Sequence, residues 1–172
     1  MSNTETIRCV PTSEADLDVV LTMERDEENA QTIRQWPREK HRAAIADPSI
    51  AHLLVRATTD NRVVGFVVII GLDDPDGNIE FKRIVIAEKD RGFGRAAVRQ
   101  IANLTFTELG AHRLWLEVMR DNAPAIRLYQ SEGFTYEGIH RQSMKRGDTY
   151  ADLVVMSMLA SEFTATEQSP PQ

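Results

Sequence analysis

Residues 80–96 read Glu-Phe-Lys-Arg-Ile-Val-Ile-Ala-Glu-Lys-Asp-Arg-Gly-Phe-Gly-Arg-Ala, and this stretch decides the fold. Its first half predicts a strand, because residues 84–86 are β-branched and suit a pleated surface. Its end opens a helix, because apolar residues recur at three- and four-residue spacing between positions 96 and 104. Gly92 and Gly94 lie between the two, so the stretch predicts a strand, a tight loop and a helix start.

The two glycines make this loop a candidate anion site. Glycine lets the backbone adopt dihedrals closed to other residues and lets a ligand approach bare N–H groups. At a helix N-terminus such N–H groups lack partners and carry the positive end of the helix dipole, which suits a phosphate or pyrophosphate. A turn that only reverses the chain is the alternative. A magnesium-dependent nucleotide loop is excluded because no Gly-Lys-Ser/Thr follows, but residues 92–97 fit a loose dinucleotide fingerprint.

Length and composition describe one ordinary soluble domain. The chain has 172 residues, 42% of them hydrophobic, which is enough to bury a core. A net charge of −6 argues against nucleic-acid binding and is compatible with cationic substrates. The single cysteine, Cys9, cannot form an internal disulfide, and the first residues lack an export signal. No apolar run reaches the length of a membrane span, so we predict a cytoplasmic protein without a membrane partner.

The remaining pattern predicts strands and helices in a definite order. The predicted strands are 7–10, 51–56, 62–70, 79–86, 112–119, 134–142 and 149–159. Predicted helices lie at 13–23, at 37–47, from the glycine loop to Gly110, and at 122–133, with an acidic loop at 24–28. Strands 51–56, 62–70 and 79–86 form an antiparallel meander, and the single strand–helix–strand crossover implies one parallel pair. This order argues against the dinucleotide fold, which repeats that crossover.

Two signatures resemble those of the GCN5-related N-acetyltransferases. Residues 91–96, Arg-Gly-Phe-Gly-Arg-Ala, match the first, and residues 114–129, closed by Gly133-Phe134, match the second. Together they cover roughly residues 79–159, in the family's order. The resemblance implies an α/β (α+β) fold, in which about four helices flank a mixed, mostly antiparallel central sheet with one splayed parallel pair. We expect a single acetyltransferase domain at 1–160 and a flexible tail at 161–172.

The resemblance implies acetyl-coenzyme A as cosubstrate, held in a cleft between the two parallel strands. Its pyrophosphate would lie on the loop N–H groups, and its pantetheine arm would pair with the backbone of the strand before the loop. Asn122 would hydrogen-bond the arm, cap the following helix, or do both. The expected cofactor contacts are Ile84, Val85, Ile86, Arg91, Gly92, Phe93, Gly94, Arg95, Ala96 and Asn122. No metal is expected, because the four histidines, His41, His52, His112 and His140, lack metal-ligand spacing and are interpreted as structural or exposed.

Acetyl transfer to an amine needs a base for the ammonium, an acid for the leaving thiolate and a donor for the oxyanion. Tyr129 matches the family's tyrosine and is the expected acid, with core packing as its alternative role. Glu117 is the first choice for the base, because ribosomal-protein alanine acetyltransferases carry theirs in a similar Leu-Trp-Leu-Glu-Val stretch. Glu80, placed like the glutamate of histone-type enzymes, is second, and each carboxylate has a salt bridge as its alternative. An N–H near Ile84 is the expected oxyanion donor, and the family implies direct attack in a ternary complex.

The acceptor is left open by the sequence. Residues 134–158 look like the branch of ribosomal-protein and polyamine acetyltransferases, so a peptide N-terminus, a polyamine or a small metabolite can supply the primary amine. The acidic residues at 24–28 favour a polycation, although a solvated charge run explains them too. A non-catalytic acyl-coenzyme A binding or sensing module is the alternative from another class, and members of this family often form homodimers.

Overall fold

The computed structural model describes residues 6–163, which form one seven-stranded sheet with helices on both faces. The strands are β1 Ile7–Pro11, β2 Ile50–Ala57, β3 Val63–Ile70, β4 Asn78–Ile86, β5 Arg113–Met119, β6 Thr135–Arg146 and β7 Thr149–Leu159. The α-helices are α1 Leu17–Arg25, α2 Glu27–Ala30, α3 Arg38–Ala46, α4 Phe93–Asn103 and α5 Ala123–Ser131. The strand order β1-β2-β3-β4-β5-β7-β6 confirms the predicted mixed, mostly antiparallel sheet.

The parallel pair β4–β5 is formed over a short length only. Residues 78–80 of β4 lie opposite residues 113–115 of β5, and the pairing ends there. Beyond this point β4 continues along β3, while β5 continues along β7 up to Met119. The two strands therefore separate toward their carboxyl ends, which confirms the predicted splayed pair and leaves an opening in the middle of the sheet.

Each face of the sheet has its own apolar layer. Helices α4 and α5 cover one face, where Val98, Ile101 and Leu116 belong to the larger core cluster. Helices α1 and α3 cover the other face over β2 to β4, where Val20 and Phe66 belong to a second cluster. We call these the α4/α5 face and the α1/α3 face. The opening between β4 and β5 is thus bordered by different helices on its two sides.

The N-terminal helices differ in part from the prediction. Ser13 and Asp16 form the predicted capping box, with the Ser13 N–H donating to Asp16 at 2.8 Å. The acidic stretch predicted as a loop is instead the end of α1 and the short helix α2, capped by Asp26. The described residues therefore contain five α-helices rather than about four. The last turn of α1 contains the buried Glu24, and sequence periodicity does not report this burial.

The ends of the chain lie largely outside the described residues. Of the predicted tail 161–172 only residues 161–163 are described, so the tail and the domain boundary at 160 stay predictions. Between residues 6 and 163, no helix has the length and apolar character that crossing a lipid bilayer requires.

Gly65 of β3 allows β4 to approach closely where the sheet opens. A Cβ atom at position 65 would lie 2.3 Å from the carbonyl oxygen of Val85 and 2.8 Å from Cδ1 of Ile86. The first of these atoms is backbone and cannot rotate away. The close approach of β3 and β4 beside the opening therefore requires glycine at this position.

We predict that Gly65→Ala lowers the free energy of unfolding by about 1–3 kcal/mol, because the added methyl group forces β4 away from β3. Urea denaturation followed by circular dichroism measures this change. Gly138→Ala in β6 is the matched control, since a Cβ there meets no atom within 4 Å. Equal stability of the two variants would contradict the close approach.

Candidate active site

The glycine loop presents unpaired N–H groups at the start of α4. Gly92 precedes the helix with φ of 80°, in the left-handed region that favours glycine. The first intrahelical bond runs from the Ala96 N–H to the Gly92 carbonyl, at 3.0 Å. The N–H groups of Phe93, Gly94 and Arg95 precede it, and no described side chain caps them. This is the geometry expected of an anion site at a helix N-terminus.

Gly94 has no structural requirement for glycine within the protein itself. Its φ is not positive, and a Cβ atom would lie at ordinary contact distances, 3.8 Å from Leu128 Cδ2 and 3.9 Å from Ile86 Cγ1. Neither strain nor crowding therefore explains the absence of a side chain. Close approach of a ligand to the Gly94 N–H does explain it. The loop thus fits a pyrophosphate by its backbone conformation and by the space it leaves.

Arginine side chains brace the loop. Arg91 and Arg62 both donate to Glu88, at 2.6 Å and 2.8 Å, and the Arg62 hydrogen bond is the main cause that lowers the pKa of this carboxyl. Arg95 binds Ser131 Oγ at 3.0 Å and pairs with Glu132, which ties α4 to the end of α5. The side chains of Arg91 and Arg95 thus have protein partners, and the N–H groups remain the loop's direct contribution to a ligand.

The end of β4 offers backbone groups to the opening. The Ala87 N–H donates to the Val64 carbonyl at 2.8 Å. Hydrogen-bonded and non-bonded pairs alternate along antiparallel strands, so the peptide groups of Val85 also face β3. Those of Ile84 and Ile86 then face β5, which has already diverged. An extended ligand arm can add to this edge as a missing strand would.

Tyr129 and Asn122 belong to α5, on the α4/α5 face. Asn122 caps the helix, accepting the Ala125 N–H on Oδ1 at 3.3 Å, so the predicted capping role is present. Tyr129 is only 7% exposed and packs edge-on against Phe134, with ring centroids 5.7 Å apart. Burial raises the pKa of the phenol above its ordinary value. The hydroxyl therefore keeps its proton at neutral pH, as an acid that protonates a thiolate must.

The two candidate bases lie on the opposite, α1/α3 face. Leu116 and Val118 are in the α4/α5 core, so the alternating Glu117 points to the other side. Its Oε1 lies 2.6 Å from His140 Nδ1, and its side chain is 22% exposed. Glu80 pairs with Lys82 Nζ at 2.9 Å, which is the salt bridge kept as its alternative role. Glu80 lies where the strands still pair, whereas Glu117 lies beyond their divergence, and this position favours Glu117.

The tip of the β6–β7 hairpin contacts residues that follow α2 and β5. Arg146, near its tip, donates to the Gln31 carbonyl at 3.0 Å and pairs with Asp121 at 3.2 Å. Gln31 follows α2, so the tip of the hairpin is connected to the N-terminal helices on the α1/α3 face. Sequence reasoning missed both Arg146 and the partner of Glu117, His140. Nothing in the local pattern reports these contacts, because they depend on cross-strand register.

Glu24 is buried and is not available to an acceptor, contrary to the prediction for the acidic stretch. Its side chain is 1% exposed and pairs with Arg83, and its Oε2 lies 3.1 Å from His41 Nε2. The Trp36 N–H donates to the same oxygen at 3.1 Å. An ionised carboxylate is kept in the core only with such partners. Glu27 and Glu28 are exposed and form no ion pair with any residue between 6 and 163.

The buried network continues through two histidines. His41 Nδ1 lies 3.0 Å from His52 Nε2, and His52 Nδ1 lies 2.9 Å from Thr12 Oγ1. Burial, then the charges of His41 and Arg83, lower the pKa of His52 to about 4. These two histidines are structural, as interpreted from the sequence, and Arg83 links the network to β4 directly before Ile84.

Cys9 and the potential metal ligands are the alternative candidates for reactive groups. Burial raises the pKa of the Cys9 thiol to about 12, so this cysteine is a poor nucleophile. Among residues 6–163, no cluster of three or more histidine, cysteine, aspartate or glutamate side chains is arranged to hold a metal ion.

Comparisons with known proteins agree with this geometry. A family model described as Acetyltransferase (GNAT) family matches residues 19–134, about two thirds of the chain. Spermidine N(1)-acetyltransferase of Escherichia coli K12 is 22% identical over 181 residues, covering 100% of this chain and 96% of that protein. [Ribosomal protein bS18]-alanine N-acetyltransferase of Salmonella typhimurium is 31% identical over 117 residues, covering 62% and 71%.

A solved structure has the same fold. The crystal structure of spermidine N-acetyltransferase from Vibrio cholerae in complex with CoA and spermine superposes with a TM-score of 0.82, covering 91% of this chain and 97% of that one. The sequence identity is 22%, so the comparison concerns the fold.

We predict that His52 makes the protein less stable as the pH falls. Below pH 6.5 the unfolded chain protonates this histidine while the folded protein does so only near pH 4, so up to about 3 kcal/mol is lost over that interval. Above pH 6.5 the neutral form is present in both states and its contribution is constant. Urea denaturation at intervals from pH 7 to pH 4 measures the slope.

The contribution of His52 is isolated by comparing variants. His52→Gln removes the titrating group and is expected to flatten the slope, whereas His112→Gln, at an exposed histidine, is expected to retain it. The same slope in His52→Gln as in the unmodified protein would show that other groups cause it.

Proposed function

The chain belongs to the acetyltransferase (GNAT) family, and from this premise we propose that it acetylates a small molecule carrying a primary amine, with a polyamine as the first candidate. It is an acetyl-coenzyme A-dependent N-acetyltransferase. The observation that carries the proposal is the divergence of β4 and β5 after residues 80 and 115. The anion loop lies at the end of β4, and the candidate acid and base lie on opposite faces of the sheet.

The residues fit an acetyl-coenzyme A molecule extended through this opening. The N–H groups at the start of α4 would bind its pyrophosphate, and Gly94 leaves space for that approach. The peptide groups of Ile84 and Ile86 would pair with the pantetheine arm, and Asn122 Nδ2, which has no partner among the described residues, would add a hydrogen bond. The thioester would then reach the middle of the sheet from the α4/α5 face.

The acceptor would approach from the α1/α3 face. Glu117 takes a proton from the ammonium, directly or through water, and the freed amine nitrogen attacks the thioester carbonyl. The Ile84 N–H donates a hydrogen bond to the oxyanion that forms. As the carbon–sulfur bond breaks, Tyr129 gives its phenolic proton to the departing thiolate, and the second proton of the acetylated nitrogen returns to the phenolate, directly or through water. The products are an acetylated amine and a free thiol, without an acyl-enzyme.

Two features favour a polyamine acceptor. The alignment with a spermidine acetyltransferase spans the full length of this chain. Glu27 and Glu28 are exposed carboxylates on α2, next to the point where the β6–β7 hairpin contacts Gln31. These carboxylates would attract the additional ammonium groups of a polyamine. The ribosomal-protein relative suggests a peptide N-terminus as the competing acceptor, and its α-amine would be the single reacting group at the same site.

We predict that the protein releases free thiol from acetyl-coenzyme A with spermidine and adds one acetyl group to the acceptor. Thiol release followed by mass spectrometry of the acceptor measures this, across spermidine, a peptide with an N-terminal alanine, and a free amino acid. Thiol release with the peptide but not with spermidine would identify a peptide N-terminus, rather than a polyamine, as the acceptor. Binding of acetyl-coenzyme A without thiol release from any amine would support the sensing module instead.

Tyr129→Phe tests the acid in the same assay. We expect kcat to fall at least about tenfold because the thiolate leaves without a proton donor, with little change in affinity for acetyl-coenzyme A. Tyr136→Phe is the matched control, since Tyr136 is 48% exposed on β6. Equal kcat values in Tyr129→Phe and the unmodified protein would remove Tyr129 from the mechanism.

Gly94→Ala is predicted to separate binding from stability. Alanine is the better helix former and its Cβ meets no protein atom closer than 3.8 Å, so stability should stay equal or rise by up to about 1 kcal/mol. The added methyl group should nevertheless weaken coenzyme A binding about tenfold by holding the pyrophosphate away from the loop. Calorimetric titration measures the affinity, with Gly138→Ala as control. Unchanged affinity would place the pyrophosphate elsewhere.

A further inference from the structure

The Glu117–His140 pair brings two titratable groups together beside the opening. His140 Nδ1 and Glu117 Oε1 are 2.6 Å apart, and the histidine side chain is 55% exposed. We infer that His140 is a positioning residue, whose Nδ1–H group orients the Glu117 carboxylate toward the acceptor amine. This inference rests on the proposed function, because it assigns His140 a role through the candidate base.

The backbone of β6 holds His140 in place. Pairing with β7 shifts register once between Tyr136 and Gly138, continues to His140, opposite Leu153, and resumes after a second shift at Met144. In the intervening bulge Gln142 has a φ of 50°, and its N–H donates to Asp152 Oδ1 at 2.8 Å. Ser143 Oγ donates to the His140 carbonyl at 3.1 Å. A bulge fixed by these bonds sets the direction of the side chain beside it.

The hydrogen bond leaves one carboxylate oxygen for chemistry. An ionised Glu117 only accepts, so its partner atom, His140 Nδ1, must carry the proton. Oε1 is then occupied, and Oε2 remains to receive the proton of the acceptor ammonium. A carboxylate held by one charge-assisted bond presents its second oxygen in a constant direction.

The neighbouring charges do not replace His140 in this role. Nearby on the same part of the sheet, Glu80 pairs with Lys82, Glu137 with Arg113, and Asp152 with Arg120. Each of these three cations thus already pairs with another carboxylate. In the described residues, the hydrogen-bond partner of the Glu117 carboxylate is His140.

Two substitutions of His140 distinguish a role in orienting Glu117 from a role in filling space. His140→Leu removes the donor, and we expect kcat to fall about tenfold while KM for acetyl-coenzyme A stays unchanged. His140→Asn places an amide N–H near the position of Nδ1, and we expect it to retain most of the activity. His112→Leu, at an exposed histidine outside β5, is the matched control and should leave kcat unchanged. Thermal unfolding verifies that all three variants fold.

A spectroscopic measurement tests the pair without turnover. Nitrogen-15 spectra of the histidine rings distinguish the two neutral tautomers, and we expect His140 to carry its proton on Nδ1 in the unmodified protein. In Glu117→Gln, whose side-chain amide can donate in place of accepting, the Nε2-protonated form should increase. His112 supplies the internal reference for an exposed ring.

The outcomes distinguish this inference from the proposed function. Absence of turnover with every amine in the unmodified protein would refute the proposed function, while the tautomer spectra would still decide whether the pair exists. Full kcat in His140→Leu, equal losses in the leucine and asparagine variants, or an Nε2-protonated His140 unaffected by Glu117→Gln would each overturn the positioning role.

Discussion

The fold depends on the loss of pairing between two parallel strands in the middle of a sheet. Strands β4 and β5 share only three residue pairs, and β4 then continues with a single bonded edge. A half-paired central strand leaves backbone donors and acceptors unsatisfied, which is costly in a protein interior unless a ligand or water pairs with them. In the proposed complex, the amide groups of acetyl-coenzyme A would pair with this edge. The cosubstrate would then complete the sheet rather than fill a preformed apolar cavity.

This construction places the proposed acid and the proposed base on opposite faces of the sheet. Tyr129 lies on the α4/α5 face, where burial keeps its phenol protonated. Glu117 lies on the α1/α3 face, where it is partly exposed and bonded to a polar partner. One sheet therefore gives the proposed acid and the proposed base different environments, because alternate residues of a strand and the helices that cover them face opposite sides. In the proposed ternary complex, the two substrates would then approach from opposite directions.

The local sequence pattern was sufficient to predict the strands, the helices and the glycine loop, but it did not predict which side chains contact one another. The crossover, the capping Asn122 and the glycine loop follow from short-range pattern, and the structure has all three. The acidic stretch was misjudged because Glu24 looks like any other surface carboxylate in a list of residues. Its burial depends on Arg83, which is 59 positions further along the chain. The partner of Glu117 was missed for the same reason, because the sequence of neither strand alone determines the cross-strand register.

The buried network around Glu24 supplies directional hydrogen bonds, which apolar packing cannot supply. Buried ion pairs are seldom more stabilising than apolar side chains of equal volume, because both charges must leave water. Here Arg83 Nε even lacks a partner among the described residues. Hydrogen bonds, unlike apolar contacts, are directional, and these join α1, α3 and β2 to Arg83, the residue before Ile84. A backbone edge that is proposed to pair with a ligand's amide groups needs directional support. We therefore interpret the network as the device that fixes the position of the β4 edge, at some expense of stability.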